Sequence, residues 1–290
     1  MDEQDYACFE HPKMKHSEHA DTCLICKRNY LFPLEEPPAQ IKIFTVIKPL
    51  ARGFYSAAYV VKHPYTKMNF LIKIIPIVMY SIQDGYSKNF ESEVNAYRIA
   101  DEKKMNVPRM VDAGECTVNF KNGISIDCYY LQMELINGPT LNEFKNSPDI
   151  SATKIAKITY DLFDFLRKID SLQLHHNDLH GGNIIIEIIT EDLGALNIID
   201  HNVKAYVIDL GSMNQKDRST QKNNRDITWI VKHTKEMIDS YWLEAISKDH
   251  KSELRILSGI NGLITFYSGK ETARELEIEG FCDEIYNIVK

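Results

Sequence analysis

Asp178, Asn183 and Asp209 are the residues whose types and spacing could do chemistry in this chain. Residues 175–183 read His-His-Asn-Asp-Leu-His-Gly-Gly-Asn and run into Ile184-Ile185-Ile186. Asp178 therefore stands five residues before an amide, Asn183. A second apolar run, residues 205–208, then delivers Asp209-Leu210-Gly211. One carboxylate can orient or deprotonate an attacking hydroxyl. The amide and the second carboxylate can hold a magnesium ion that bridges nucleotide phosphates. The set suits phosphoryl transfer, and each group sits where a strand is expected to meet a loop.

These motifs, His176-Asn177-Asp178 with Asn183, and Asp209-Leu210-Gly211, resemble the HRDxxxxN catalytic loop and DFG metal loop of the protein-kinase-like superfamily. The wording Asp-Leu-His-Gly-Gly-Asn resembles the aminoglycoside-phosphotransferase and atypical bacterial kinase branches. The resemblance implies a bilobal α+β fold, with an antiparallel sheet plus a helix in the N-lobe and a helical C-lobe. It implies ATP and Mg²⁺ as cofactors, Asp178 as the catalytic acid or base, and Asn183 and Asp209 as metal ligands. It also requires a phosphate-covering hairpin, a strand lysine, a helix glutamate and a hinge upstream.

Each has a candidate. Residues 50–60 lie where the glycine-rich loop belongs, but keep only Gly53, with Ala51 and Ser56 where the family has glycine; an ordinary hairpin is the alternative. Lys73 sits in Phe70-Leu71-Ile72-Lys73-Ile74-Ile75, after a turn at His63-Pro64-Tyr65-Thr66. A cation in such a run needs a counter-charge or a route to water. Phe90, Val94, Tyr97 and Ile99 have helical spacing, and on that helix the resemblance favours Glu93, by its distance to Tyr97, over Glu91, which otherwise reads as a solvated carboxylate. Residues 129–138 match the strand and hinge. There Met133 would line an adenine pocket and backbone around Glu134 and Ile136 would read the adenine edge. Without the resemblance the stretch is a buried strand ending in an Asn-Gly turn.

The chain also departs from a conventional protein kinase. Residues 187–204 lengthen the connection to the Asp209 strand, and no Ala-Pro-Glu phrase follows the metal loop. Asn177 replaces the arginine that clamps an activation-loop phosphate. His180 stands where protein Ser/Thr kinases carry a lysine. It is assigned to the catalytic set as a weaker counter-charge, with a loop-structuring hydrogen bond as the alternative. Downstream, Ile155, Ile158, Leu162, Phe165, Leu166 and Ile169 form one helical stripe opened by Ser151. Ile227, Ile230, Val231, Thr234 and Ile238 form another. Asp226 reads either as the carboxylate that caps the catalytic loop or as an N-terminal helix cap.

The N-terminus carries a separate signal. Cys8-Phe9-Glu10-His11 and Cys23-Leu24-Ile25-Cys26 pair four zinc ligands, Cys8, His11, Cys23 and Cys26, around a segment holding His16 and His19, either of which could replace His11. A redox CxxC or an unfolded tail are the alternatives. The domain reading is a zinc-binding module over residues 1–30, a stiff linker over 31–40, an N-lobe over 41–137 and a C-lobe over 138–290. Thirty-four basic against 41 acidic side chains, net −7, do not favour a nucleic-acid partner. No apolar run is long enough to span a membrane, and scattered Cys116, Cys128 and Cys282 suit the cytoplasm, delivery into a host cell remaining open. The expected function is ATP- and Mg²⁺-dependent phosphoryl transfer by an atypical protein Ser/Thr kinase whose protein substrate is recruited by a structural Zn²⁺ module. The alternatives are a small-molecule (aminoglycoside-like) kinase, an AMP transferase and a nucleotide-binding scaffold without activity.

Overall fold

The computed structural model describes residues 6–8, 15–16, 31–33, 37–52, 56–77, 87–120, 125–189, 203–215, 225–268, 280, 283–285 and 287. Over these the protein is mixed α+β, with helices and an antiparallel sheet. It divides into two compact units, Met1–Val94 with Arg109–Leu135, and Asn95–Pro108 with Ile136–Lys290.

In the first unit, β1 (Tyr6–Cys8), β2 (Lys15–His16) and β3 (Leu31–Pro33) form a small sheet in the order β2-β1-β3. Leu31–Pro33 lies in the stretch read as a linker, yet it pairs with Tyr6–Cys8. A proline-rich composition signals extended backbone but carries no information about pairing.

The larger sheet comprises β4 (Gln40–Ile41), β5 (Phe44–Arg52), β6 (Ala57–Lys62), β7 (Asn69–Pro76), then, after helix α1 (Ser87–Glu102), β8 (Met110–Asn119) and β9 (Ser125–Glu134). Its order is β4-β5-β6-β7-β9-β8. The β6–β7 turn is tied by His63, whose Nδ1 accepts the N–H groups of Tyr65 and Thr66 at 3.3 and 3.1 Å. Because side chains alternate along a strand, Ile72 and Ile74 face one way with Tyr59, Val61, Ile126, Cys128 and Tyr130, making one apolar core. Lys73 between them must face the other way, opposite Leu131 in register. Helix α1 meets that second face, where the Phe90 ring stacks on Tyr129 at 4.5 Å.

The second unit holds α2 (Leu141–Phe144), α3 (Ala152–Ser171), β10 (Leu174–His175), β11 (Ile184–Ile188), β12 (Val203–Val207), β13 (Asn214–Gln215), α4 (Arg225–Ser247) and α5 (Lys251–Ser268). Ser151 caps α3, its hydroxyl accepting the Lys154 N–H at 3.3 Å. The expected stripe of α3 is buried along its whole length. On α4, Ile227, Ile230, Thr234 and Ile238 are buried, and the Thr159 and Thr234 hydroxyls meet at 3.1 Å to join α3 to α4. Among the described residues no helix is long and apolar enough to cross a membrane.

Candidate functional site

The candidate residues fall into two groups, one in each unit. In the first, Lys73 Nζ lies 2.8 and 3.1 Å from the two carboxylate oxygens of Glu93, with side-chain exposures of only 14% and 4%. Strand alternation sends Lys73 to the helix-covered face. Helical spacing from Phe90 brings Glu93 down onto it, while Glu91 is exposed. A buried ammonium is tolerable only with such a partner. Arg52 and Ala57 pair at the tip of β5 and β6, where the phosphate-covering hairpin was expected; Gly53 itself lies outside the described residues.

The hinge candidates sit at the end of β9. Met133 is buried, and the Glu134 N–H is already given to the Arg109 carbonyl at 2.9 Å, so that group is not the one an adenine edge would meet. Ile136 is buried in the second unit, and Gly138 follows. A Cβ on Gly138 would come within 2.0 Å of the Ile186 carbonyl oxygen, so glycine is required for close approach to β11.

In the second unit one loop and one strand ladder assemble the rest. Ile184 pairs with Val207 across β11 and β12, and the Ile208 N–H continues the pairing onto the Asn183 carbonyl at 2.9 Å. Asn183 and Asp209 therefore emerge at the same end of one ribbon. The Asn183 amide nitrogen donates to the backbone oxygen of Asp178 at 2.9 Å and to its carboxylate at 3.1 Å. With the nitrogen so committed, the amide oxygen is the atom of Asn183 left to a cation. Asp209 follows β12 in the left-handed region, φ 60°, ψ 67°, and starts the short turn Leu210–Ser212. An aspartate tolerates that conformation better than most residues.

The loop is held from beneath. His176 is fully buried, its Nδ1 accepting the Asp178 N–H at 3.3 Å and its Nε2 standing 3.3 Å from the Ile208 carbonyl. One acceptor and one donor define a neutral imidazole protonated on Nε2. Burial depresses the His176 pKa, outweighing the opposing pull of Asp226, which fits that neutral form. Asp226, 1% exposed near the start of α4, accepts the backbone N–H groups of His176 and Asn177 at 2.8 and 3.0 Å. Of the two roles read for Asp226, the loop-capping one has these hydrogen bonds. His180 is bound back into its own loop, its Nδ1 accepting the Gly182 N–H at 3.0 Å. Its other nitrogen stands 3.8 Å from the Asp178 carboxylate, with both side chains nearly half exposed. The loop-structuring bond is thus present, and Nε2 carries the proton in the neutral ring.

No known family model matches the chain.

Three supporting groups escaped the sequence reading. His233, seven residues after Asp226 and so on the same side of α4, is buried with Nε2 3.3 Å from the Leu179 carbonyl; the heptad spacing was the available signal. Burial depresses its pKa too. Asp161, a charge inside the stripe of α3, accepts the Ala205 N–H of β12 at 3.1 Å and pairs with Lys157. Burial pushes its carboxyl upward despite both partners. Asn106 accepts the Val207 N–H through its carbonyl at 2.9 Å. Among the described residues no three His, Cys, Asp or Glu side chains converge on a metal position. His11, His19, Cys23 and Cys26, with the side chains of Cys8 and His16, lie outside the described residues.

Proposed function

We propose that the protein is an ATP- and Mg²⁺-dependent phosphotransferase of bilobal protein-kinase-like fold, acting on a hydroxyl acceptor, with a protein Ser/Thr acceptor ahead of a small molecule. The observation that carries the reading is the Asn183 amide bonded to Asp178 beside the ribbon end that presents Asp209. Asn183 and Asp209 would hold magnesium, for which an amide oxygen and a carboxylate are suitable hard donors. Bound there, the ion supplies charge neutralisation to the phosphates. Asp178, nearly half exposed beside Asn183, accepts or orients the acceptor hydroxyl. Lys73, fixed by Glu93, meets phosphate oxygens. His180, whose Nδ1 accepts the Gly182 N–H, offers its Nε2–H to the transferred group as a modest donor.

In this reading the N-terminal segment is a structural zinc module closed by Cys8, His11, Cys23 and Cys26, and it recruits the protein substrate. The retained Lys73–Glu93 pair weighs against an inactive scaffold, since a buried ion pair is weak support for stability alone. Incubation with γ-labelled and α-labelled ATP in parallel tests the reading. Transfer of label from the γ-position alone is expected. Transfer from the α-position would make the protein an AMP transferase, and none from either would leave a nucleotide-binding scaffold.

A further inference from the structure

Asn177 joins the two halves of the phosphoryl-transfer group. It lies in the left-handed region, φ 65°, next to Asp178, with its N–H on the Asp226 carboxylate. Its side-chain nitrogen donates to the Ser212 carbonyl at 3.0 Å and reaches the His175 carbonyl at 3.5 Å. Ser212 is the last residue of the turn that Asp209 opens. Two residues on, Asn214 pairs with His175, so β13 lies along β10, the strand leading into the catalytic loop. The side chain thus stands where the chain entering Asp178 and the chain leaving Asp209 run side by side.

We propose that Asn177 is a positioning residue that fixes the Asp209 turn through the Ser212 carbonyl, setting the metal ligand without any phosphate on the segment that follows. The proposal rests on the reading of Asp178, Asn183 and Asp209 as a magnesium-nucleotide site. A neutral amide donor suits a backbone carbonyl and offers no charge to a phosphate dianion. Carbonyl and amide are both permanent features of the chain, so the strap is closed as soon as the protein folds. Regulation of this site by phosphorylation downstream of Asp209 is therefore not required for its assembly.

The test uses the full chain and Asn177→Gly, since glycine takes the left-handed backbone without strain and lacks the side-chain donor. Amide hydrogen exchange without ligand should accelerate over residues 209–213 by roughly threefold to tenfold, about what one exposed hydrogen bond contributes, with α3 and α4 unchanged. The Mg²⁺ concentration that half-saturates ATP binding should rise by a similar factor, while turnover at saturating Mg²⁺ stays within about twofold. Unchanged exchange, or a fall in turnover with the Mg²⁺ midpoint unmoved, would overturn the strap. If the glycine variant does not fold, Asn177→Asp, which keeps the shape and loses the donor, answers by the same exchange measurement. Wild-type protein freed of phosphate, verified by mass, should retain its turnover within about twofold, and a larger drop overturns the regulatory half. Should wild-type protein bind no magnesium nucleotide, the site reading fails, and the exchange experiment still decides whether Asn177 holds the turn.

Discussion

At the scale of single residues, the proposed function gives Asp178 and Asp209 separable duties. Asp209→Asn should leave the fold intact and remove most Mg²⁺-dependent turnover, because the charge proposed to hold the ion is lost. Wild-type turnover at limiting Mg²⁺ would refute the assignment. Asp178→Ala should bind ATP nearly normally and transfer phosphate about 10²–10⁴-fold more slowly, the usual worth of acid–base assistance. An equal loss of ATP affinity would instead make Asp178 a metal ligand. Lys73 and Glu93 form a buried ion pair, so removing one partner takes a counter-charge from the other. Glu93→Ala should cost about 3–5 kcal/mol in urea unfolding, while the double change Lys73→Met with Glu93→Leu should cost far less. Equal losses in the single and double variants would show that the pair is not what matters.

At the scale of elements, the ribbon of β11 and β12 depends on close packing and on a buried carboxylate. Gly138→Ala sets a methyl group against the Ile186 carbonyl, a backbone atom that cannot rotate away. A loss of about 1–3 kcal/mol is expected, and an unchanged melting temperature would mean that the backbone shifts freely there. Asp161→Leu strands the Ala205 N–H and should cost about 1–3 kcal/mol, whereas Asp161→Asn keeps an acceptor and should cost less. Because burial raises the Asp161 pKa, its stabilising contribution is present below about pH 3.9 and is lost as pH rises through the raised value. The Asn variant should lack that decline, which unfolding free energies at pH 4 and pH 7 would reveal.

The same elements mark what was legible in the sequence. Lys73 in an apolar run and Glu93 three residues after Phe90 were readable because period and burial leave few placements. Asp178, Asn183 and Asp209 were readable as types at fixed spacing, and the β11–β12 register supplies the reason they meet. The pairing of Leu174–His175 with Asn214–Gln215 was not readable, since two-residue strands carry no period. Asp161 was not readable either, because its partner is a backbone group 44 residues away.

At the scale of the whole molecule, two buried histidines set an acid limit. Burial depresses the pKa of both His176 and His233, while the unfolded chain takes up protons near pH 6.5. Both folded values are depressed, so their stabilising contribution is present above about pH 6.5 and is lost as pH falls toward the folded values. The slope from these two groups should reach at most about 2.7 kcal/mol per pH unit, and His233→Gln should halve it. Identical slopes in wild type and variant would remove His233 from the account. The N-terminal segment makes an independent claim. Replacing Cys23 and Cys26 by Ser should abolish stoichiometric zinc while ATP binding survives. Metal-free wild-type protein under reducing conditions would end the zinc reading.

Among the described residues the ribbon that presents Asn183 and Asp209 has two strands, and two-stranded ribbons ordinarily offer unpaired edges on which another chain can template. Here the Ile186 N–H is taken by the Pro139 carbonyl along one margin, while Ala205 and Val207 are taken by Asp161 and Asn106 along the other. These contacts make the ribbon a poor seed for strand exchange or fibrillar assembly. Asp161, whose burial raises its pKa, covers part of the second margin, and Asp161→Leu should aggregate on mild heating sooner than its loss of stability alone would require.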